Sequence, residues 1–209
     1  MRFVMSACKA FKQIAREEAL KLDGFRHACH AMLYAPCGEK LFGTYPIRHA
    51  VMLQMRFDGM IGFPGGLVDE GEDLEMGLNR EISEELSSKA EDIQLTADHY
   101  LMSHYSTEQH LCIHFYTKCI GYDLFVQLER NATSAADHGL EVLGVIRCPL
   151  YVWRRELGLP AFLLNNFVGN ARHQLLYALE HEHILSSREI KSALTLSEQL
   201  KVKKERGEV

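Results

Sequence analysis

The stretch from Gly65 to Leu86 constrains this chain more than any other part of its sequence. A pair of glycines opens it, a short acidic loop follows, and Asp73 is placed to cap a helix that begins near Leu74. At about 100° per residue, the apolar residues of that helix share one face. They are Leu74, Leu78, Ile82 and Leu86. The stretch therefore predicts a glycine turn followed by a helix that packs on a core.

Three carboxylates lie beside the apolar face of this helix, at positions i, i+3 and i+4: Glu81, Glu84 and Glu85. Their mutual repulsion is poorly screened at the edge of a buried surface. A hard divalent cation with oxygen ligands relieves such repulsion, and Mg²⁺ or Mn²⁺ suits this donor set. The Gly65 carbonyl is a further candidate ligand, because glycine lets the backbone approach a metal closely. The alternative interpretation is a charged surface helix after a glycine turn.

The spacing of this stretch resembles the signature of the Nudix hydrolase family, G-x5-E-x7-R-E-U-x-E-E-x-G-U. Gly66, Glu72 and the run from Arg80 to Glu85 occupy the matching positions. The chain departs from the signature at Ser87 and Ser88, where the family has a glycine and an apolar residue. These two positions end the helix and touch no metal. The resemblance implies an α/β/α sandwich and the metal-dependent hydrolysis of a phosphoanhydride bond.

The resemblance also assigns roles within the motif. Metal ions bind the diphosphate in this reaction class and lower the pKa of a bound water. We expect Glu81 and Glu85 to be the first metal ligands and Glu84 to be the third. The general base is Glu84, Glu85 or Glu141, because a second acidic group often arrives from a loop in Nudix enzymes. For Glu141, the alternative is an exposed strand residue.

Three further residues of the motif are expected to be structural. Gly66 is the glycine of the signature. Arg80 and Glu72 are expected to pair and so brace the loop against the helix, with direct metal contact as the alternative.

Hydrophobic patterning and turn residues predict the rest of the architecture. Asp58-Gly59 is a hairpin turn signal, and Pro36-Cys37-Gly38 is expected to close the first strand. This order predicts an α/β fold, a mixed sheet with helices on its faces and two C-terminal helices. Strands are predicted at 27–35, 49–57, 110–120 and 140–147, an extended segment at 93–105, and helices at 9–22, 122–130, 169–182 and 188–202.

Length and composition indicate one globular domain. The chain has 209 residues, enough for a sizeable core. We divide it into an N-terminal amphipathic segment (1–22), a Nudix hydrolase domain (23–183) and a C-terminal helix with a basic tail (184–209). The first 16 residues hold cations and no acid, which resembles a mitochondrial presequence. Their single serine and the following Glu17-Glu18 favour an exposed amphipathic helix instead.

The net charge bears on the partners of the protein, and the cysteine pattern bears on its cellular compartment. The net charge is −5, so RNA contact requires a local basic patch, for which the tail from Lys201 to Arg206 is a candidate. The six cysteines form no C-x-x-C pair, which indicates reduced thiols in a cytosolic or nuclear protein. No run approaches 18 apolar residues, so the sequence predicts no transmembrane span and no membrane partner.

Segments outside the motif resemble one branch of the family, the small-nucleolar-RNA-decapping Nudix hydrolases of the Nudix motif 16 type. The resemblance runs from about residue 24 to residue 180. The loop from Gly66 to Arg80 has the general Nudix length, whereas this branch tends to carry one more residue. The segments are His27–Ala31, Gln54–Gly59, Gly62–Gly66, Gly77–Glu81, Asp137–Gly144 and Pro149–Tyr151.

The branch resemblance implies a specific activity. Its members remove caps from RNA and hydrolyse inosine and deoxyinosine di- and triphosphates to monophosphates, with manganese or magnesium. They form homodimers. They are located in the nucleus, both in the nucleolus and in the nucleoplasm, and the cytoplasm is an alternative location. The resemblance places five residues in the nucleotide pocket: His30, Arg56, Phe63, His104 and Gln174. From the residues alone, Phe63 can also be a packing residue and His30 a core histidine.

Two other functions remain open at this point. A general nucleotide-sugar or dinucleotide pyrophosphatase would share the motif, because the motif fixes the chemistry and not the leaving group. A catalytically weak RNA- or protein-binding module is the second alternative, since one relative in this branch has lost the catalytic glutamates. Zinc binding by His27 and His30 is disfavoured, because residues three apart on a strand point to opposite faces.

Overall fold

A computed structural model describes residues 11–87, 92–154 and 156–207. Its strands are β1 (Lys12–Ile14), β2 (Arg26–Leu41), β3 (Tyr45–Arg56), β4 (Ile61–Gly62), β5 (Gly65–Leu67), β6 (Tyr100–Ser106), β7 (Leu111–Cys119), β8 (Val142–Arg147), β9 (Val152–Trp153) and β10 (Leu157–Gly158). Eight of them form one sheet in the order β1-β6-β7-β2-β3-β4, with β5 paired to β2 and β8 paired to β3. Strands β2 and β7 run parallel and their neighbours antiparallel, so the sheet is mixed, as predicted.

Helices cover both faces of this sheet. One buried cluster joins α2 and α3 to the face that carries Leu33. A second joins α4, α5 and α6 to the face that carries Leu53. This arrangement confirms the predicted α/β/α sandwich. The helices are α1 (Arg16–Ala19), α2 (Leu74–Leu86), α3 (Tyr122–Asn131), α4 (Leu159–Phe162), α5 (Ala171–His181) and α6 (Ser187–Glu205).

The N-terminal segment differs from its prediction. Residues 9 and 10 lie outside the described ranges, and in residues 11–22 the predicted helix is wrong. Lys12–Ile14 instead forms β1, which pairs with β6 and covers the edge of the sheet. Ala15 has an extended backbone, and only the single turn Arg16–Ala19 is helical. Backbone pairing at a free sheet edge outweighs the weak helical spacing of this segment. The division into 1–22, 23–183 and 184–209 stays a prediction.

The first long hairpin also extends beyond its prediction. Pro36-Cys37-Gly38 was expected to close the strand, and this prediction is wrong, because β2 continues to Leu41. The pairing of β2 with β3 shifts its register between Cys37 and Lys40, so the strand passes through Pro36-Cys37-Gly38 without ending. The tip of the β2–β3 hairpin therefore lies at the end of the sheet opposite the glycine turn, which pairs near the start of β2.

The other predicted elements are present with shifted ends. Asp58-Gly59 joins β3 to β4 as an antiparallel hairpin. Helix α2 begins at Leu74, although Asp73 caps it by position and without a side-chain hydrogen bond. The segment at 93–105 is extended only in part, because residues 97–99 form a 3₁₀ turn before β6.

The structure describes the state of five cysteine thiols and the hydropathy of the helices. Five cysteines are described and all are free; Cys119 is exposed and the others are buried. Within the described ranges, no helix is both long and apolar enough to cross a bilayer.

The glycine turn is fixed by close backbone packing. Gly65 begins β5 and pairs with His30 of β2. Its φ is +124°, and a Cβ at this position would collide with the Cys29 carbonyl. Only glycine satisfies both conditions. The turn therefore holds the start of the Nudix motif directly against the central sheet.

We expect Ser87→Gly to stabilise the fold by about 1 kcal/mol, because Ser87 ends α2 in the left-handed region, with φ 48° and ψ 40°. The family glycine at this position would adopt that conformation without the Cβ penalty. Urea unfolding measures the change. Met76→Gly, at an exposed interior position of the same helix, is the control and should lose about 1 kcal/mol. A loss of stability in both variants would contradict this account of the helix end.

Candidate active site

Glu85 is the most deeply buried carboxylate of the motif, with 8 % of its surface exposed. Its Oε2 accepts a hydrogen bond of 2.8 Å from the Gly65 amide and one of 3.2 Å from Gln54 Nε2. The apolar stripe of α2 turns Glu85 toward the sheet, and the glycine turn brings the Gly65 amide to it. The carboxylate is thus fixed by two donors from two different strands.

Burial and neighbouring charge disfavour ionisation in this cluster. Burial raises the pKa of Glu85 to about 8, although the two donors act against it and the charges of Glu81 and Asp137 add to it. Burial likewise raises the pKa of Glu81, while Arg80 lowers it and Glu84 and Asp137 raise it. Like-charged groups therefore converge in a poorly solvated place, which is the situation that a cation relieves.

Arg80 is the internal counter-ion of the cluster. It forms a bidentate pair with Glu72, with Nε–Oε1 and Nη2–Oε2 distances of 3.0 and 3.1 Å. The same guanidinium donates to Glu81 at 2.9 Å, to Glu84 at 3.3 Å and to the Leu67 carbonyl at 3.1 Å. The expected contact between Arg80 and Glu72 is present and joins the loop to α2. Their structural role, as opposed to metal contact, stays a prediction.

The contacts of Arg80 occupy carboxylate oxygens that a metal ion would need as ligands. No group of three or more His, Cys, Asp or Glu side chains is assembled for a metal within the described ranges. Arg80 occupies one oxygen each of Glu81 and Glu84, so a cation must compete with it there. The all-oxygen donor set and the buried carboxyl groups of Glu81 and Glu85 nevertheless fit Mg²⁺ or Mn²⁺. The Gly65 carbonyl stays a predicted ligand.

Gly66 makes room for a carboxylate. A Cβ at this position would collide with the carboxylate of Glu81. The glycine pair thus has two separate functions, since Gly65 lets β5 approach β2 and Gly66 lets α2 approach β5.

The loop before β8 brings Asp137 to the cluster. Its charge is the smallest of the causes given above that raise the pKa of Glu81 and Glu85. The Asp137 carbonyl accepts backbone hydrogen bonds of 3.1 Å from Leu140, Glu141 and Val142, which fold the loop back on itself.

Glu141 lies elsewhere in the same loop. Its side chain is exposed, and its carboxylate has no hydrogen bond or ion pair in the part of the chain that the structure describes. Sequence reasoning named Glu141 and not Asp137, whose signal was its place in the same Asp137–Glu141 run. A catalytic role for Glu141 stays a prediction.

The predicted nucleotide pocket lies on the opposite face of the sheet, beside α5. Strand register places His30 next to Phe115 and His104 next to Ile113. Phe63 is 4 % exposed and packs on Phe115, with ring centroids 4.8 Å apart. This geometry favours the packing role for Phe63, and its contact with a base stays a prediction.

Arg56, the last residue of β3, is close enough to His30 for its charge to act on that side chain. Its guanidinium donates to Asp58 at 3.2 and 3.3 Å and is 5.4 Å from the Phe57 ring centroid. Burial, with the Arg56 charge second, lowers the pKa of His30 to about 4, so His30 is neutral at pH 7. A phosphate would compete with Asp58 for the Arg56 guanidinium.

Several buried polar atoms here have no hydrogen-bond partner in the described structure. They are His104 Nδ1, Asn170 Nδ2 and Gln174 Nε2, in residues that are 2 to 4 % exposed. Buried polar groups are normally satisfied, so these unpartnered atoms are candidates for ligand contacts. Asn170 was not selected from the sequence; it lies at the N-cap position of α5, four residues before Gln174.

We expect Glu85→Gln to stabilise the metal-free protein at pH 8. The pKa of Glu85 is about 8 in the fold, against about 4.3 in an unfolded chain. The folded state therefore binds the extra proton between these values, and stability falls as the pH rises through this window. Glutamine keeps the shape and carries no charge, so the gain should be about 4 kcal/mol at pH 8, at about 1.4 kcal/mol per pH unit above the unfolded pKa, and vanish near pH 4.

Urea unfolding in chelator from pH 4 to pH 8.5 measures this difference. The exposed Glu70→Gln is the control and should show no such pH dependence. A Glu85→Gln difference that is constant across the pH range would refute the buried-acid account.

Comparison with known proteins identifies the family. The model described as "Nudt16-like: U8 snoRNA-decapping enzyme-like" matches residues 27–185. The U8 snoRNA-decapping enzyme of Xenopus laevis is 46 % identical over 192 residues, which cover 90 % of this chain and 91 % of that protein. The Tudor-interacting repair regulator protein of Mus musculus is 44 % identical over 187 residues, covering 88 % of this chain and 87 % of that protein.

Solved structures support the same fold. A MutT/nudix family protein from Enterococcus faecalis matches with a TM-score of 0.51 and 14 % identity, over 88 % of this chain and 74 % of that one. At this identity the match speaks for the fold alone. The matched family model and the decapping relatives show that the chain belongs to the Nudt16-like, U8 snoRNA-decapping enzyme-like family of Nudix hydrolases, which act on phosphoanhydride bonds.

Proposed function

We propose that this chain removes caps from RNA and hydrolyses inosine and deoxyinosine di- and triphosphates to monophosphates, using Mg²⁺ or Mn²⁺. The observation that carries the proposal is the carboxylate cluster of Glu81, Glu84 and Glu85 set against the Gly65–Gly66 turn. The 46 % identity to a U8 snoRNA-decapping enzyme supports a capped RNA as the substrate.

The metal site of the proposal uses residues from two sides of the turn. Glu81 and Glu85 would hold the cation, with Glu84 and the Gly65 carbonyl as further ligands. A bound cation supplies charge neutralisation for the diphosphate and a lower pKa for an attacking water. Arg80 keeps its bidentate contact with Glu72 while its contacts to Glu81 and Glu84 give way, so the loop stays braced.

Proton handling falls to the acids around the cluster. Asp137 is close enough to influence Glu81 and Glu85 and comes from a loop that is closed by three backbone hydrogen bonds. We assign it as the leading candidate for the general base, ahead of Glu84, Glu85 and Glu141. The Gln54 and Gly65 donors hold one Glu85 oxygen, which leaves the other oxygen for ligation.

The base pocket suits a 6-oxopurine. Asn170 Nδ2 and Gln174 Nε2 are amide donors without partners. Hypoxanthine and guanine present a carbonyl acceptor at position 6, where adenine presents an amino donor. A buried donor that faces position 6 therefore favours inosine and guanosine nucleotides, because adenine would set its own amino donor against it.

A homodimer and a nuclear location, in the nucleolus and nucleoplasm, complete the proposal. Both are supported by family likeness, and the names of the decapping relatives support the nucleus. Light scattering of the purified chain tests the dimer: a monomer mass at micromolar concentration would exclude it. Imaging of the tagged chain tests the location, and exclusion from the nucleus would contradict it.

A protein-binding module is the second candidate, favoured by the 44 % identity to the mouse Tudor-interacting repair regulator protein. Such a module needs no hydrolysis, so its discriminating property is the absence of diphosphate cleavage. A general nucleotide-sugar pyrophosphatase would instead cleave those substrates faster than caps or inosine diphosphate.

We expect Glu85→Gln to lower hydrolysis of a capped RNA and of inosine diphosphate with Mn²⁺ by about 100-fold or more, because it removes a charged ligand and lies beside the reacting water. Phosphate or nucleotide release measures the rate. Glu70→Gln, an exposed change of the same kind in the neighbouring loop, should retain the wild-type rate.

The same assay with adenosine diphosphate measures base preference. Equal inactivity of wild type and Glu85→Gln on every diphosphate would remove the enzyme proposal. Equal rates on the inosine and adenosine substrates would remove the 6-oxopurine preference.

A further inference from the structure

The end of the sheet opposite the active site carries an aromatic and cationic surface. Phe42, at the tip of the β2–β3 hairpin, packs against Trp153 of β9 with ring centroids 5.6 Å apart. The Arg154 guanidinium lies 4.5 Å from the centroid of the Trp153 ring. We call Phe42, Trp153, Arg154 and the cationic end of α6 (residues 201–206) the distal surface.

The end of α6 joins this surface through an ion pair. Lys203 Nζ lies 2.7 Å from Glu156 Oε2 in the β9–β10 hairpin. Residues 201–206 contain four cations and one acid. The chain as a whole carries a net charge of −5, so the distal surface is a local reversal of sign. The basic tail that the sequence singled out thus lies near the exposed Phe42 ring and the half-buried Trp153 ring.

The stability of the fold gives no reason for a phenylalanine at position 42. The turn from Leu41 to Thr44 is closed by a 3.1 Å hydrogen bond from the Thr44 amide to the Leu41 carbonyl. Its central residues, Phe42 and Gly43, have φ values of +53° and +68°. Such a turn prefers Asn-Gly, and a phenylalanine in the left-handed region is strained. The ring is also 71 % exposed, so it gains little from burial.

The distal surface is too far from the reaction to touch a nucleotide in the active site. His30 lies near the start of β2 and Phe42 just beyond its end, in a strand that spans Arg26–Leu41. At about 3.3 Å per residue, roughly 35 Å of strand separates them. Any substrate that reaches both places must be long.

We propose that the distal surface binds the single-stranded body of the RNA whose cap occupies the active site. Bases stack on exposed aromatic rings, and cations beside those rings hold the backbone phosphates. An acidic peptide would use the lysines but would give the Phe42 and Trp153 rings no stacking partner, so the pairing of rings with cations favours RNA. The inference rests on the proposed function for the cap end of the RNA only.

The experiment uses the single tryptophan of the chain as a reporter at the site itself. A capped RNA of about 20 nucleotides, mixed with the full chain in chelator so that it is not cleaved, should quench Trp153 fluorescence, whereas a capped dinucleotide should not. Phe42→Asn and Arg154→Ala should each weaken binding of the long RNA by about tenfold. Both should leave hydrolysis of the capped dinucleotide with Mn²⁺ unchanged.

Matched controls separate binding from folding. Asparagine suits the left-handed turn, so Phe42→Asn should melt at the same or a higher temperature than the wild type. Leu20→Asn removes an exposed apolar side chain elsewhere, and Arg130→Ala removes an exposed cation from α3, and both should bind the long RNA as the wild type does.

Unchanged affinity of Phe42→Asn and Arg154→Ala for the long RNA would overturn the inference and leave a protein as the partner class. An equal loss on the capped dinucleotide would overturn it too, because the effect would then come from the active site. If the wild type fails to cleave either substrate but the two variants still lose RNA affinity, the proposed function fails and the RNA-binding surface stands.

Discussion

The Gly65 amide donates a hydrogen bond to the Glu85 carboxylate, and the rest of the site depends on the geometry of this contact. It requires β5 to lie against β2 at a distance that no side chain at position 65 permits, because a Cβ there would enter the Cys29 carbonyl. The contact draws α2 down onto the sheet, where its apolar stripe is buried. The same packing buries Glu85 and raises its pKa to about 8. One packing constraint therefore sets both the position of this carboxyl group and its pKa.

The sheet then separates two environments and connects them at the glycine turn. On the α2 side, Arg80 neutralises the acids while no cation is bound, which lets them pack together without one. On the α5 side, the side-chain amide nitrogens of Asn170 and Gln174 are buried and have no hydrogen-bond partner in the described structure. In the proposed function, a nucleoside diphosphate that crosses the turn would place its phosphates among the acids and its base among the amides. Binding at one end would then position the substrate at the other.

Sequence reasoning captured what depends on local spacing and missed what depends on tertiary pairing. The helix that begins at Leu74 follows from an apolar stripe, which any helix of that sequence would have. The N-terminal helix was wrong because the free edge of β6 provided Lys12–Ile14 with a better partner than its own backbone. Asp137 was missed in favour of Glu141 because turn geometry, which the sequence does not reveal, decides which acid of a loop faces inward. Asn170 can be recognised as a candidate site residue only once the structure shows that Gln174, four residues further on, is buried.

The central claim, that burial keeps Glu85 protonated until a cation binds, can be measured directly. Calorimetric titration of the protein with Mn²⁺ near pH 7, in two buffers of different ionisation enthalpy, gives the number of protons released on binding. The account predicts release of about one proton by the wild type and essentially none by Glu85→Gln, because the pKa of Glu85 lies above the working pH. Tight Mn²⁺ binding without proton release by the wild type would contradict it.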